Sequence, residues 1–483
     1  AFGQKLMSYD DTNAKSVSGV TDVIKFGDKI AVLATSTWSA MKGKKGLNAE
    51  WSQDSKAEST AFHDETLLGI LNGTKFDTRR KDGDVKKAFA EADTVLERTY
   101  ESPFLPHNCM EPMNFYANVT SDKIELVGPI QTPAGTAAGV ARMLGRDESE
   151  VTLEMTRMGG GFGRRLYGDF AMEAAEVSHL AKNPVKVVFS REDDMAAGIY
   201  RPAIKYRIAA SIKDGKLTGY HLKEAAINNN MYGLIPNFFP AGAIENYQVD
   251  TANYQSNITT GAWRAPYTNF LASAEQSFFD ELAESMQVDR IQLHKDLLQN
   301  VKGTTDEQIQ YSPERLEGVI DLVVEKSNWG KTPEGVYQGF AVYYCHNTHV
   351  AEVADIELEN GYPVVKKVTV AVDCGIVVNP LGAKNQVVGG VIDGIGHSMY
   401  GELTFENGVP QSNNFNSYQL IRMHQTPHVD VHFVENDIAP TGLGEPTLPP
   451  VGGAIANAIY SATGQRLLKQ PYMKYYQPKA IIG

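Results

Sequence analysis

The order of apolar and polar positions predicts helices and strands that alternate along the whole chain. Up to about Trp51, short apolar runs are separated by Gly and Asp, which predicts small strands and one short helix around Ala40. The polar segment 52–60 indicates a linker. Apolar positions at helical spacing in 84–93 predict the next helix, and a richer pattern begins there.

The middle of the chain shows both the alternation of strands and the 3.6-residue repeat of helices. One predicted helix is rich in small residues, and Gly145 marks its C-terminus. The predicted elements of this part are a strand over 123–130, a helix over 132–144, a strand over 150–158, a helix over 169–182, a strand over 186–190 and a helix over 270–287.

The last third of the chain, from about Gly339, predicts paired strands followed by helices of small residues. Its predicted elements are strands over 350–361 and 364–375, a helix over 386–401, a hairpin over 405–411 and a closing helix over 451–464. Because helices and strands interleave without a regular strand–helix–strand repeat, we predict the α+β fold class rather than a doubly wound sheet.

Length, composition and charge narrow the classes of protein that fit. A chain of 483 residues is too long for one ordinary core, and we expect roughly two to four domains. Hydrophobic residues make up 42% and charged residues 21%, so a large core forms without disulfides. The formal net charge is −13 and no basic block occurs, which argues against a nucleic-acid partner. No apolar run is long enough to span a bilayer.

Cysteines and histidines show no metal-binding spacing. Cys109, Cys345 and Cys374 lie far apart without a CxxC pair, so they supply no framework for iron–sulfur or zinc. We expect any iron–sulfur centre on another polypeptide. The histidines of the later part of the chain, which lack HExxH spacing and predict no His-ligated metal, are His346, His349, His397, His424, His428 and His432.

The strongest local signal is the segment 159–165, GGGFGRR, between a predicted strand and a predicted helix. Consecutive glycines let the backbone adopt positive φ and approach a ligand closely. A helix beginning near Asp169 favours an anion at its N-terminus, and Arg164 and Arg165 offer donors for a phosphate. The alternative is an ordinary tight turn. The segment is neither a Walker loop nor a GxGxxG dinucleotide fingerprint.

A second signal is the segment 442–450, GLGEPTLPP, which precedes the closing helix. Pro446 favours an extended backbone at Glu445, and two further prolines stiffen the approach to the helix. A carboxylate on a rigid turn is well placed to act as a fixed base. The alternative is an acidic residue that the helix dipole favours.

Two further segments offer candidate site residues. Gln131 ends a predicted strand, where it either donates an amide hydrogen bond into a site or caps a turn. In 261–267, GAWRAPY, Trp263 and Tyr267 could wall a pocket and Arg264 could hold an anion. The alternative for Trp263 is a place in the core.

Together and in chain order, these segments resemble the molybdenum-cofactor-binding subunits of the xanthine dehydrogenase and aldehyde oxidase superfamily, in particular the isoquinoline 1-oxidoreductase β-subunit type. The matching segments are RMGGGFGRR at 157–165, GAWRAPY at 261–267, AVDCGIVVNP at 371–380 and GLGEPTLPPVGGAIANAI at 442–459. The resemblance implies the tail of a hammerhead domain and a linker at 1–60, a first molybdopterin-binding domain at 61–330 and part of a second at 331–483.

The same resemblance assigns residues to a site. It implies molybdenum held by molybdopterin cytosine dinucleotide, with no side chain as a metal ligand, and Glu445 as the base that takes the proton of the attacking hydroxyl. The implied cofactor-binding residues are Gln131, Gly160, Gly161, Phe162, Gly163, Arg164, Arg264, Gln386 and Gly444. The implied substrate-pocket residues are Trp263, Leu166 and Tyr267.

The resemblance also implies a reaction and its partners. The reaction is oxidation of an aldehyde or an N-heteroaromatic carbon with oxygen derived from water. Purine-hydroxylating members carry a Glu shortly after GGGFG, and Leu166 at that position favours a less polar substrate. We expect electrons to pass to [2Fe–2S] clusters on a small partner subunit, with a c-type cytochrome as a further candidate partner.

Two expectations concern parts beyond these motifs. The family holds its cofactor with a Met-Gly-Gln-Gly segment that this sequence lacks, so we expect it on an upstream portion or a companion chain. By resemblance the protein is periplasmic or attached to the periplasmic side of a membrane.

The alternative function is a cofactor-free scaffold or maturation partner of such a complex.

Overall fold

The computed structural model describes residues 2–52, 57–228, 236–304 and 306–478. Within these residues, three sheets of four or five strands, three two-stranded ribbons and the helices between them form a mixed architecture, which confirms the predicted α+β class. The domain boundaries near residues 60 and 330 stay a prediction, as does the linker 52–60, part of which lies outside the described residues.

The N-terminal part consists of two antiparallel ribbons and two short helices; the strands and the helix around Ala40 were predicted, and α1 was not. The helix around Ala40 begins after Ser36, whose side chain accepts the Ser39 N–H at 3.1 Å. The elements are β1 (Leu6–Asp10), α1 (Thr12–Lys15), β2 (Val20–Phe26), β3 (Lys29–Ala34), α2 (Thr37–Lys45) and β4 (Asn48–Trp51).

The next part builds the sheet that carries the glycine-rich loop. Its elements are α3 (Thr60–Asn72), β5 (Asp77–Asp82), α4 (Val85–Ala90), β6 (Thr94–Ser102), β7 (Asn114–Val119), β8 (Ile124–Gly128), α5 (Pro133–Leu144), β9 (Val151–Met155), α6 (Asp169–Ala181), β10 (Val185–Val188) and α7 (Arg191–Ala196). The strand order is β10-β7-β8-β9, with α5 crossing between the parallel strands β8 and β9. Gly145 ends α5 with a left-handed φ of 66°, as its position predicted.

The middle of the molecule is a five-stranded sheet in the order β5-β13-β12-β11-β6. Its new elements are β11 (Ile204–Lys213), β12 (Lys216–Ile227), β13 (Asn246–Tyr254), α8 (Leu271–Met286), α9 (Arg290–Val301) and α10 (Pro313–Ser327). Periodicity did not predict β11, because this strand is buried on both faces and lacks the alternation that marks a half-buried strand. The predicted helix 270–287 is confirmed as α8, which is buried almost throughout.

The last sheet has the order β14-β15-β16-β19, with α10 on one face and α12 on the other. Its part of the chain contains β14 (Tyr337–Cys345), β15 (Thr348–Glu359), β16 (Tyr362–Asp373), α11 (Pro380–Met399), β17 (Phe405–Glu406), β18 (Val409–Pro410), β19 (His428–Phe433), α12 (Val451–Thr463) and α13 (Tyr472–Tyr475). The predicted strand pair is confirmed, with Glu359 opposite Tyr362 at its turn.

One helix begins earlier than predicted. Periodicity indicated a start near residue 386, whereas α11 begins at Pro380. Asn379 caps the helix by accepting the Gly382 N–H at 3.0 Å, and proline suits the first helical position.

The cysteines and the helices bear on two expectations from composition. All three cysteines are buried and free. Within the described ranges, no helix has the length and apolar character needed to cross a membrane.

Candidate active site

The glycine-rich loop 159–163 follows β9 and packs closely against two other segments. Gly163 has a φ of 104°, and a Cβ there would lie 2.1 Å from the Ala262 carbonyl oxygen. Gly161 packs in the same way on the amide group of Gln131. The glycines therefore bring three loops together. Phe162, between them, is strained at a φ of 53° and is 41% exposed.

The two arginines after this loop are structural, which corrects the expectation that they bind an anion. Arg164 is buried and donates to both carboxylate oxygens of Asp169 at 2.6 and 2.8 Å. Arg165 is also buried and donates to the Gly160 carbonyl at 2.7 Å and the Glu111 carbonyl at 2.9 Å. Because these guanidinium groups already have acceptors inside the protein, the resemblance-based role of Arg164 in cofactor binding does not fit its geometry.

Gln131 is anchored on the loop by its amide oxygen. That oxygen accepts the backbone N–H of Gly163 at 3.3 Å and of Arg165 at 3.2 Å. The side chain is exposed, and its amide NH2 group has no partner in the part of the chain that the structure describes. The same holds for the backbone N–H groups of Gly160, Gly161 and Phe162. The loop and Gln131 thus carry several donors without a partner among the described residues.

The GAWRAPY segment lies beneath the loop. Tyr167 Oη and the Ala262 N–H form a hydrogen bond. Trp263 is 4% exposed and donates from its indole to the Pro106 carbonyl at 3.2 Å, so it belongs to the core and not to a pocket wall. This corrects its predicted place in the substrate pocket. Ala265 and Tyr267 both have positive φ, 56° and 71°, so backbone strain concentrates here.

Hydrogen bonds of Arg264 connect the neighbouring segments of the site. Its backbone N–H donates to the Phe162 carbonyl at 2.9 Å. Its guanidinium donates to the Gly444 carbonyl at 2.9 Å, and also reaches the Gly389 carbonyl at 3.2 Å and Asp393 at 3.1 Å. The side chain therefore connects its own segment to the loop that carries Glu445 and to α11, and its contact with a cofactor stays a prediction.

Glu445 lies at the centre of this arrangement. Its Oε1 accepts the Ala265 N–H at 2.8 Å, and its Oε2 lies 2.6 Å from His346 Nε2. Burial raises the pKa of this carboxyl, but the hydrogen bonds from His346 and Ala265 outweigh burial and hold the pKa below its ordinary value. The carboxylate is ionised at neutral pH and half-buried.

His346 is the site residue that the sequence analysis missed, because it was weighed only as a metal ligand. It stands in the two-residue turn between β14 and β15. Hydrogen bonds with the Cys345 thiol and the Glu445 carboxylate raise the pKa of His346 to about 10. In the sequence, two apolar strands joined by His346 and Asn347 indicate a turn. Only the fold brings that turn into contact with Glu445.

The remaining predicted residues border the same region. Gln386 is exposed on α11 beside Gly444, with its amide oxygen 3.6 Å from where a Cβ of Gly444 would lie. Leu166 and Tyr267 are half-buried on the segments that flank the loop. No cluster of three His, Cys, Asp or Glu side chains suited to a metal ion occurs in the described ranges. The free donors suit a ligand rich in acceptor atoms.

Comparison with known protein families agrees with this geometry. A molybdopterin cofactor-binding domain matches residues 69–297, and a second molybdopterin cofactor-binding domain matches residues 240–427. The chain carries the molybdopterin-binding domains of the xanthine dehydrogenase and aldehyde oxidase family. The glycine-rich loop, Gln131 and the GAWRAPY segment lie in the first matched range, whereas Glu445 lies beyond both.

Relatives of this family align over nearly the whole chain. The chain is 28% identical over 97% of its length to a membrane-bound aldehyde dehydrogenase [pyrroloquinoline-quinone] of Gluconacetobacter polyoxogenes. It is 27% identical over 96% to the beta chain of isoquinoline 1-oxidoreductase of Brevundimonas diminuta, and 24% identical over 97% to one of the subunits of nicotinate dehydrogenase of Pseudomonas putida. The chain spans 66%, 62% and 42% of the lengths of these three relatives.

Solved structures of molybdenum hydroxylases share the fold. Quinoline 2-oxidoreductase from Pseudomonas putida 86 superposes with a TM-score of 0.82 over 98% of this chain and 93% of that one, at 12% identity. Aldehyde oxidoreductase from Desulfovibrio gigas superposes with a TM-score of 0.79 over 98% of this chain and 76% of that one, at 15% identity.

Proposed function

We propose that this chain is the cofactor-binding part of a molybdenum hydroxylase that oxidises an aldehyde or an N-heteroaromatic carbon with oxygen from water. The observation that carries the proposal is Glu445, an ionised carboxylate held by both oxygens on a rigid loop. The names of the relatives support this substrate class, since they include aldehyde, isoquinoline and nicotinate oxidoreductases.

The residues of the site suit a molybdenum–pterin cofactor, which we propose is the cytosine dinucleotide form. The Gln131 amide and the backbone N–H groups of Gly160, Gly161 and Phe162 would hold its acceptor atoms, and Gly444 and Gln386 would border it. When bound, the cofactor supplies an activated oxygen nucleophile and takes up two electrons.

The protein supplies the base and the substrate pocket. Glu445 accepts the proton of the attacking oxygen, as a positioned carboxylate does in general-base catalysis. The Ala265 N–H and Arg264 fix the loop that carries Glu445. Leu166 and Tyr267 line the substrate side, and the apolar Leu166 favours an aldehyde or a less polar N-heterocycle over a purine.

An isotope experiment tests this function. The assembled enzyme is offered aldehydes, N-heteroaromatics and purines in water enriched in ¹⁸O. We expect oxidation of the first two classes with ¹⁸O in the product, and no turnover of purines. Turnover without ¹⁸O from water would contradict the proposed reaction.

We also propose a small partner subunit with [2Fe–2S] clusters, and a c-type cytochrome as a further electron acceptor. Two electrons must leave the site, and the three cysteines of this chain are isolated and buried. The names of two relatives describe them as single subunits of their enzymes. Electron paramagnetic resonance of the reduced assembly should show the clusters, and a fully active iron-free preparation would exclude them.

The Met-Gly-Gln-Gly segment belongs, in this proposal, to an upstream portion or a companion chain of a periplasmic or membrane-attached assembly. The chain spans 66% and 62% of the lengths of two relatives, which leaves room in them for such a segment. Peptide mapping of the native assembly and of its cell fraction tests both points. Cofactor binding and turnover by residues 1–483 alone would contradict the first.

The alternative is a cofactor-free scaffold or maturation partner. The ionised Glu445 and the free donors around Gln131 argue against it, because a scaffold has no need of either. The name of one relative includes pyrroloquinoline quinone. Metal analysis separates these cases, since neither a scaffold nor a quinone enzyme carries molybdenum.

A further inference from the structure

The turn between β14 and β15 is tied to the loop that carries Glu445. His346 and Asn347, at its centre, have left-handed φ values of 50° and 62°, as a two-residue hairpin turn requires. The Gly442 N–H donates to the His346 carbonyl at 3.2 Å, and a Cβ at Gly442 would lie 2.8 Å from the His346 Cβ. Thr348 donates from its hydroxyl to the Gly442 carbonyl. The backbones of turn and loop therefore lie in fixed contact.

The side chains of the two segments meet at the same place. His346 Nε2 lies 2.6 Å from Glu445 Oε2, while the other carboxylate oxygen accepts the Ala265 N–H at 2.8 Å. With one partner on each oxygen, the carboxylate has a single orientation. The imidazole is 43% exposed, so water reaches it and it need not be neutral.

We propose that His346 is a positioning residue for Glu445, whose imidazolium holds the second carboxylate oxygen and keeps the base ionised in the resting enzyme. The inference rests on the proposed role of Glu445 as the base. It assigns to a hairpin turn outside the segments 159–165, 261–267 and 442–450 a part in setting the pH range of activity.

The charges around the pair agree with this role. The Cys345 thiol and the Glu445 carboxylate raise the pKa of His346 to about 10, so the imidazole is charged at neutral pH. Arg264 adds positive charge near Glu445, but its guanidinium is paired with Asp393 and bound to the Gly444 carbonyl. His346 is thus the charged group in direct contact with the carboxylate. An opposite charge in contact typically lowers a carboxyl pKa by about 1–3 units.

The first test needs neither cofactor nor turnover. In protein with ¹³C-labelled histidine, the ring signal of His346 is assigned by its loss in His346→Gln. We expect the wild-type imidazole to stay protonated well above the ordinary histidine range, with a midpoint near pH 10. In Glu445→Gln the midpoint should fall. A midpoint at the ordinary value of 6.5 in the wild type would overturn the pairing.

The second test is the pH dependence of kcat/KM in the assembled enzyme. In His346→Gln, or in His346→Asn, which tolerates the positive φ better, the acid limb should move up by about one pH unit or more. The exposed His424→Gln is the matched control and should leave the limb in place.

The outcomes separate the inference from the proposed function. A fixed acid limb in both His346 variants, with Glu445→Gln inactive, would overturn the inference and leave the base assignment intact. Normal turnover in Glu445→Gln, with a wild-type histidine midpoint near pH 10 that falls in this variant, would overturn the base assignment while the ion pair stands. A moved limb together with a shifted midpoint supports both.

Discussion

Glu275 is fully buried in the core and Glu445 is half-buried in the site, and their pKa values move in opposite directions. Glu275, on α8, accepts hydrogen bonds from Tyr220 at 3.0 Å and Tyr343 at 2.7 Å, and burial raises its pKa to about 7. For Glu445, burial acts the same way, but His346 and the Ala265 N–H lower the pKa below its ordinary value.

The difference lies in the donors and not in burial alone. Two neutral hydroxyl groups do not outweigh the loss of water around Glu275, whereas a charged imidazolium and a backbone amide do so for Glu445. Glu275 therefore stabilises the core largely as a neutral acid below pH 7, and Glu445 is available as a base. In this molecule the perturbed carboxyl at the candidate site is the one whose partners keep it charged while it stays half-buried.

We expect the largest effect on activity when Glu445, the charged one of the two carboxyl groups, is replaced. Glu445→Gln keeps the shape of the loop but loses the base, and general bases contribute about 10²–10⁴-fold in rate. We expect turnover to fall at least about a hundredfold with near-normal molybdenum content. Glu435→Gln, at an exposed position, is the control. Unchanged turnover would make Glu445 a mere helix-end carboxylate, and loss of molybdenum would make its role structural.

The glycine-rich loop 159–163 packs against the segments of Gln131 and Ala262. We therefore expect its disruption to lower stability and cofactor binding strongly. In Gly163→Ala, a φ of 104° and a Cβ 2.1 Å from the Ala262 carbonyl oxygen force the loop apart. We expect the variant to lose about 3 kcal/mol of stability and most of the bound cofactor. Melting temperature and molybdenum content measure these effects. Gly145→Ala is the matched control, because its φ of 66° is also positive but nothing lies within 4 Å of the added Cβ.

The raised pKa of Glu275 predicts that the stability of the protein depends on pH. Between pH 4.5 and about 7, the unfolded chain loses the Glu275 proton while the folded protein keeps it, so the free energy of unfolding falls as pH rises. Glu275→Gln has no such proton, so its free energy of unfolding does not fall in this way. The free energy of unfolding of the variant minus that of the wild type should therefore rise by roughly 2–3 kcal/mol between pH 5 and 7.5. Urea unfolding at the two pH values measures it. Glu224→Gln should behave alike, since burial also raises the pKa of Glu224 to about 7. An equal pH dependence in wild type and variants would contradict the account.

We expect the smallest effect, on stability alone, from the loss of a neutral hydroxyl group that donates to Glu275. Tyr343→Phe removes one of the two hydroxyl groups that bind Glu275, which should cost about 0.5–1.5 kcal/mol of stability and leave turnover unchanged. Thermal unfolding detects a change of this size, with the exposed Tyr362→Phe as the control. A tenfold loss of activity in Tyr343→Phe would mean that core and site are coupled, and the contrast between the two carboxylates would no longer hold.

Much of the fold could be predicted from periodicity, and the failures have physical causes. Helices α5, α6, α8 and α12 have one apolar face or end at a glycine, and the strand pair β15–β16 carries its own turn. Strands such as β11, buried on both faces, show no alternation. The early start of α11 depends on a side-chain cap at Asn379, which periodicity does not reveal.

The candidate site was predicted by segment more reliably than by side chain. The structure brings together the predicted segments around Gln131, Gly161, Arg264 and Glu445. Which atoms face the site depends on burial, which a motif does not encode. Arg164 and Trp263 match their motifs but turn into the protein, whereas His346 matches none and reaches the base only through the fold.

The central claim is that these loops hold a molybdenum–pterin cofactor beside Glu445. Elemental and pterin-nucleotide analysis of the native assembly, with its subunits identified by mass, tests it most directly. We predict about one molybdenum and one pterin nucleotide per copy of this chain. Stoichiometric zinc, flavin or quinone without molybdenum would contradict the claim.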